Sequence, residues 1–189
     1  KGLLTPVGFG SAEITAKCIE TNQEASVNVT VDAGWYKWDA TDGFKGWSII
    51  TSGASFIIKD GKMTVSMNKG STWRSDMKYS GTPISFGGNR PIFAIKGTMP
   101  TTGARKWYAI AQTPDGPVNS GGKNETGKIV ANDGINVYYY DMPSRIAALA
   151  SGLYPFTVFQ FKMADFPLTE PSTFDIYWMR TFKSVADLE

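Results

Sequence analysis

The chain has 189 residues, of which 42% are hydrophobic, 13% aromatic and 19% charged, with 20 Gly, 10 Pro, one Cys and no His. That length suits one domain with a full apolar core, and the missing histidine excludes a Ser-His-Asp triad, a Cys-His dyad and a His-ligated zinc, while one cysteine cannot build a thiolate zinc site. A net charge of +2, from 19 basic and 17 acidic residues interspersed along the chain, argues against nucleic acid as a partner, because phosphate binding needs clustered Lys and Arg.

Taken in order, residues 1–10 show Gly and Pro without periodicity and read as a linker or a lead-in strand. Ala12, Ile14, Ala16 and Cys18 alternate with polar residues, as do Val27, Val29 and Val31. Both are half-buried strand patterns, forming a hairpin around Asn22-Gln23 in which Cys18 is expected to be a small buried hydrophobe. Residues 56–67 hold two strands joined at Asp60-Gly61, a strong signal for a type I′ turn. Further strands are expected over Ile92–Lys96, Trp107–Gln112, Ile135–Tyr140, Phe156–Met163 and Phe174–Thr181. The polar stretch from Thr113 to Lys128 reads as a mobile hairpin tip or a binding loop. Pro143–Gly152 suits one or two helical turns, and Ser184-Val185-Ala186-Asp187 resembles a capping box opening a short terminal turn.

Short strands divided by Gly, Pro, Asn and Asp turns predict an all-β fold, a two-sheet antiparallel β-sandwich with one or two short helical turns. Nothing forces a second domain, so 1–189 reads as one. No apolar run approaches the ~20 residues of a membrane helix and no signal-peptide pattern is present; membrane insertion is not expected. Because it starts at Lys1 rather than Met, the chain reads as a piece of something longer.

The six Trp are the most informative residues. A saccharide offers apolar C–H faces rimmed by hydroxyls, so its site needs flat rings flanked by charged or amide groups. Trp47 reads as core, and so does Trp178, on an alternating face with Phe174, Ile176 and Phe182. Trp73 sits with Arg74 and Asp76 in a segment poor in aliphatics. There the Arg fork donates and the carboxylate accepts, the chemistry of a polyol-binding face; the alternative is an edge-strand ion pair with Trp73 turned inward. Trp107 follows Arg105-Lys106 and precedes the polar loop. Trp35, Tyr36 and Trp38 either face a ligand or plug one end of the sandwich. Of Tyr138-Tyr139-Tyr140, Tyr139 has the opposite parity and faces outward.

A glycosidase needs two carboxylates across a sugar cleft. The Glu residues all lie in polar faces, turns or the terminus, where nothing raises a pKa, so no catalytic residue is assigned; an acid-only site using Asp76, Asp141 or Asp175 is the alternative. No cofactor is expected. A structural Ca²⁺ stays open, although Asp39, Asp42, Asp141 and Asp175 are scattered and no Asp-x-Asp-x-Asp-Gly loop occurs.

The order of Asp60-Gly61-Lys62-Met63-Thr64-Val65, Trp73-Arg74-Ser75-Asp76, Phe93–Lys96, Tyr139–Met142, Tyr154-Pro155-Phe156, Phe159–Asp165 and Phe174–Leu188 resembles a family of β-sandwich modules in secreted and surface proteins of glycan-degrading gut Bacteroidetes. The resemblance covers roughly residues 40–189. Such modules are similar to jelly-roll carbohydrate-binding modules. The resemblance implies an extracellular or cell-surface, non-catalytic binder of a β-linked plant polysaccharide, with xylan the leading candidate, covalently linked to a glycoside hydrolase that it holds near substrate. It implies Trp73, Arg74 and Asp76 as one binding face, with Trp107 or the Trp35, Tyr36 and Trp38 group as a second ring. A structural or adhesive sandwich without glycan binding is the alternative.

Overall fold

The computed structural model describes residues 10–31, 34–68, 76–80, 84–86, 90–100, 108–113, 116–119, 125–145, 154–156, 158–162 and 170–188. Its strands are β1 (Gly10–Lys17), β2 (Glu24–Val31), β3 (Lys37–Asp39), β4 (Trp47–Ile49), β5 (Ala54–Lys59), β6 (Lys62–Met67), β7 (Asp76–Tyr79) and β8 (Ile84–Phe86). They continue with β9 (Ile92–Gly97), β10 (Tyr108–Thr113), β11 (Gly116–Asn119), β12 (Gly127–Val130), β13 (Asn136–Asp141), β14 (Tyr154–Phe156), β15 (Val158–Lys162) and β16 (Ser172–Phe182). A single turn of helix, Met142–Arg145, and a 3-10 turn, Val185–Leu188, complete the described elements.

The fold is all-β and antiparallel. One sheet runs β11-β10-β15-β7-β4; a second runs β12-β13-β9-β16-β6-β5, with β3 also paired to β16. Strands β8 and β14 form a small pair of their own. The two large sheets are packed face to face, because one cluster of buried side chains draws on both: Trp47, Met77 and Phe159 from the first, and Met63, Val65, Phe93, Ile95, Tyr138, Tyr140, Phe174, Ile176 and Met179 from the second. Phe93 meets Phe159 edge-on between the sheets, ring centroids 5.2 Å apart. Such a pair is worth about 0.5–1.5 kcal/mol beyond the area it buries.

The expected turn at Asp60-Gly61 has φ of 52° and 76°, and Lys59 faces Lys62 across it. Two successive residues with positive φ define type I′, whose twist matches that of the flanking strands. At the C-terminus the Asp187 carboxylate accepts from both the amide and the hydroxyl of Ser184, each at 2.9 Å.

Three expectations are corrected, and a fourth lies partly outside the described residues. The polar stretch 113–128 is not all loop: β11 returns against β10 with Thr113 opposite Gly116, and β12 begins at Gly127. Cys18 is exposed, not buried, because among the described residues β1 and β2 pair only with each other and no second layer lies over their alternating apolar residues. Of the expected helical segment, Met142–Arg145 is a helical turn, and residues 146–153 lie outside the described residues.

The third correction concerns β16. Phe174 and Ile176 point into the core, but Trp178 and Phe182 do not share their face. The pairing with β9 slips between Ile176 and Trp178, so that Ile176 faces Gly97 and Trp178 faces Lys96. This β-bulge adds one residue, Tyr177, and inverts the parity beyond it. Met179 and Thr181 therefore turn inward and are buried. Trp178 and Phe182 go to the outer face, where they pack beside Ile92, Ala94, Val137 and Leu188 in a second cluster.

Candidate functional site

The five-stranded sheet is built from cross-strand rows. Trp47, Tyr79 and Phe159 are directly opposite one another on β4, β7 and β15 and face the core. One residue along, Ser48, Lys78 and Gln160 form the next row, and the pleat turns them to the opposite face. All three are half-buried. They supply a hydroxyl, an ammonium and an amide in one row, about 4.8 Å apart from strand to strand. Sequence reasoning passed over Lys78 and Gln160. Their signal was the alternation of Met77 and Tyr79 with polar neighbours, legible once the segment is known to be a strand.

Two residues farther along, past the row of Ile49, Met77 and Phe161, Asp76 is opposite Lys162 on β15, with Tyr108 of β10 opposite Lys162 from the other side. Strands β7 and β10 thus both begin against the same residue, about 10 Å apart across β15. Trp73-Arg74, one residue short of Asp76, and Trp107, next to Tyr108, precede these two strand starts in sequence; these residues, which were expected to bind, lie outside the described residues. Asp76 is 3% exposed. Its amide donates to Thr51 Oγ1 at 3.2 Å and its carbonyl accepts from Ile50 N at 3.0 Å. The expected open carboxylate is therefore a buried one.

The aromatic group at 35–38 is divided by burial. Trp38 is 4% exposed; its ring meets Trp47 edge-on at 5.4 Å and tilts against Tyr79 at 5.2 Å. Strand β3 pairs with β16, with Trp38 opposite the inward Met179, so Trp38 belongs to the core and presents no ring face to a ligand. Tyr36 stacks on Trp38 at 5.5 Å with the planes 5° apart and is half-buried. Trp35 is 58% exposed. Its neighbours are pinned to β16, since Thr181 Oγ1 donates to Gly34 O at 2.6 Å and accepts from Tyr36 N at 2.8 Å. Tyr139 does face outward, as its parity requires. It is half-buried there, lying over Gly127, where an added Cβ would come 2.5 Å from the Tyr139 hydroxyl.

On β3 and β16 the carboxylates are engaged by cations. Asp39 Oδ2 lies 3.0 Å from Lys37 Nζ and 3.5 Å from Arg180 Nη2, and Oδ1 accepts from the Thr41 amide at 2.9 Å. Burial alone would raise the Asp39 pKa; hydrogen bonds from Thr41 and Lys37 outweigh it and hold the group at about 2. Asp175 accepts from Lys62 and Thr64, each at 2.7 Å. There too burial opposes the shift, and those bonds hold the pKa below the usual carboxylate range. Asp42 Oδ1 accepts from the amides of Asp39 and Phe44, fixing the turn in which Phe44 takes a φ of 48°. Among the described residues no three acids or cysteines gather as metal ligands would.

A family model described as "Domain of unknown function (DUF4979)" matches residues 34–188. The chain belongs to that family. The DUF4979 match starts at Gly34, just after the β1–β2 hairpin, and ends at Leu188 in the terminal 3-10 turn, so it takes in every described strand of the sandwich. No curated protein matches the chain. One solved structure, "Structural basis for the promiscuous specificity of the carbohydrate-binding modules from the beta-sandwich super family", is similar at 12% identity and a TM-score of 0.36, covering 90% of this chain and 74% of that one. No helix among the described residues of this DUF4979 chain is long and apolar enough to cross a membrane.

Proposed function

We propose that this DUF4979 domain is a non-catalytic carbohydrate-binding module for a β-linked plant polysaccharide, and that it binds on the outer face of the five-stranded sheet. The observation that carries this reading is the register that sets the starts of β7 and β10 on either side of Lys162. In the proposal, Trp73 and Trp107 supply rings from the two strand entries, and Arg74 reads hydroxyls beside Lys78, Gln160 and Ser48. Asp76 acts from below the surface, fixing the strand that carries them. Xylan is the first glycan to test. The domain would serve a covalently linked glycoside hydrolase by holding it near its substrate, outside the cell or on the bacterial surface, as the Bacteroidetes-type resemblance implies. The division of 1–189 as one domain belongs to the same proposal, with the β1–β2 hairpin as an appendage of the sandwich.

Affinity electrophoresis through xylan, mannan and β-glucan gels tests this directly. Retardation of the intact chain on at least one gel, lost in Trp73→Ala while the melting temperature holds, is the expected result. No retardation on any gel removes the reading. One observation favours the second reading, a structural or adhesive sandwich: Trp38 and Trp47 are core residues and Trp178 is half-buried, so packing already accounts for three of the six Trp. That reading predicts Trp fluorescence indifferent to every oligosaccharide.

A further inference from the structure

We infer that the opposite side of the sandwich, the outer face of the seven-stranded sheet around the β16 bulge, is a second saccharide-binding site. This rests on the reading of the domain as a glycan binder but not on the site proposed for it above.

In an unbroken strand Tyr177 would face out and Trp178 in. With one residue inserted, the buried neighbours are Ile176 and Met179, and the two consecutive aromatics between them are both half-buried on the outer side. The sheet accommodates this through Gly97. A Cβ there would overlap the Asp175 carbonyl oxygen, while Thr98 donates to that oxygen and accepts from the Asp175 amide, both at 2.9 Å. Bulges commonly re-aim side chains beside functional sites.

Donors and acceptors fixed by ion pairs flank the two rings. On one side lie Lys62, Thr64 and Asp175, bonded as described, with Lys62 Nζ 6.0 Å from the Tyr177 ring centroid. On the other, Trp178 faces Asp39 and Arg180 faces Lys37 across the β3 pairing. The Arg180 guanidinium lies 4.9 Å from the Trp178 ring centroid and is tethered by Asp39. Trp35, the exposed ring, enters beside Thr181 at the same end. Rings for C–H faces, with prepositioned cations and carboxylates to donate to and accept from hydroxyls, are what a pyranose segment requires. Each cation already has a carboxylate partner, which favours a neutral sugar over an anionic one.

The test runs the full chain, Trp73→Ala/Trp107→Ala, and that double variant with Trp35→Ala or Tyr177→Ala added, through xylan, mannan and β-glucan gels. Melting curves check folding, and the exposed Trp35 keeps the test valid if Tyr177→Ala does not fold. In parallel, the Trp178 indole N–H signal of the unaltered chain is followed by NMR during titration with xylohexaose and cellohexaose. The inference expects the double variant to keep retardation on at least one gel, and Trp35→Ala or Tyr177→Ala to weaken what remains by about ten-fold, with the Trp178 signal shifting. If the double variant loses all retardation and the Trp178 signal stays still, the second site is overturned and the first stands. If the double variant binds as before and Tyr177→Ala abolishes binding, the second site stands and the first falls. Absence of retardation and of any shift in the unaltered chain overturns both.

Discussion

Side chains whose sequence context looks alike have different fates here. Cys18 stands at the end of an alternating run resembling those that enter the core, yet it is exposed. Its thiol pKa is lowered by hydrogen bonds from the Thr21 side chain and from the backbone of Thr21 and Glu20. It should therefore react with a thiol-specific disulfide reagent in the native protein as completely as in denaturant; a thiol protected until unfolding would show a covering layer over the hairpin. Asp39 carries the clearest acid-side prediction. Its folded pKa of about 2 lies below the 3.8 of a free aspartate, so it contributes stability fully above pH 4, and this is lost as the pH falls toward 2. Thermal melts should find Asp39→Asn less stable than the unaltered chain at pH 6, with the gap closing by pH 2. A gap independent of pH would assign the loss to packing instead.

Among elements, β16 and the hairpin are the two that alternation alone misreads. The bulge in β16 depends on the close approach of Gly97 to the backbone of Asp175, where the obstacle is a carbonyl and not a flexible side-chain tip. Gly97→Ala should therefore destabilise the fold by about 1–3 kcal/mol, the usual cost of forcing an extra methyl into a packed site; an unchanged urea midpoint would mean that the bulge yields. The β1–β2 hairpin is the reverse case, an element with the right pattern and, among the described residues, no layer to pack on. Ile14 faces Val27 and Ala12 faces Val29, but Val27 remains 58% exposed. A two-stranded ribbon is marginal by itself in water. A chain beginning at residue 34 should melt within a few degrees of the whole, and a large drop would show that the hairpin braces the sandwich.

At the scale of the whole molecule, two packed sheets leave two outer faces, one carrying the row of Ser48, Lys78 and Gln160 and the other Tyr177 and Trp178. Stacking of a neutral sugar is weak, since each contact must offset ordering and desolvation. If the domain binds a neutral glycan as proposed, raising NaCl to about 0.5 M should leave gel retardation within about two-fold, because stacking on a neutral sugar does not depend on net charge that salt can screen. A steep loss with salt would point to an anionic glycan. Sites on both faces would let one domain touch two chains or two stretches of one, and the gain from joining them would exceed either affinity alone.

By itself the sequence determined the all-β class, most strand positions, the Asp60-Gly61 turn and the Ser184–Asp187 cap. These depend on period-two patterning and local turn chemistry, which act within a few residues. It also marked Trp47 as core and Tyr139 as outward-facing. The tertiary structure decided what local pattern cannot express: that β7 and β10 start against the same residue of β15, and that Asp76 is buried. It also separated Trp35 from Trp38, which local pattern grouped together, and put Trp178 on the opposite side from Ile176. Each of these is a matter of register between strands distant in the chain, and a shift of one residue in register exchanges the two faces of a strand. Which aromatic rings of β16 face outward is thus fixed by its register against Gly97 rather than by those residues' own neighbours in sequence.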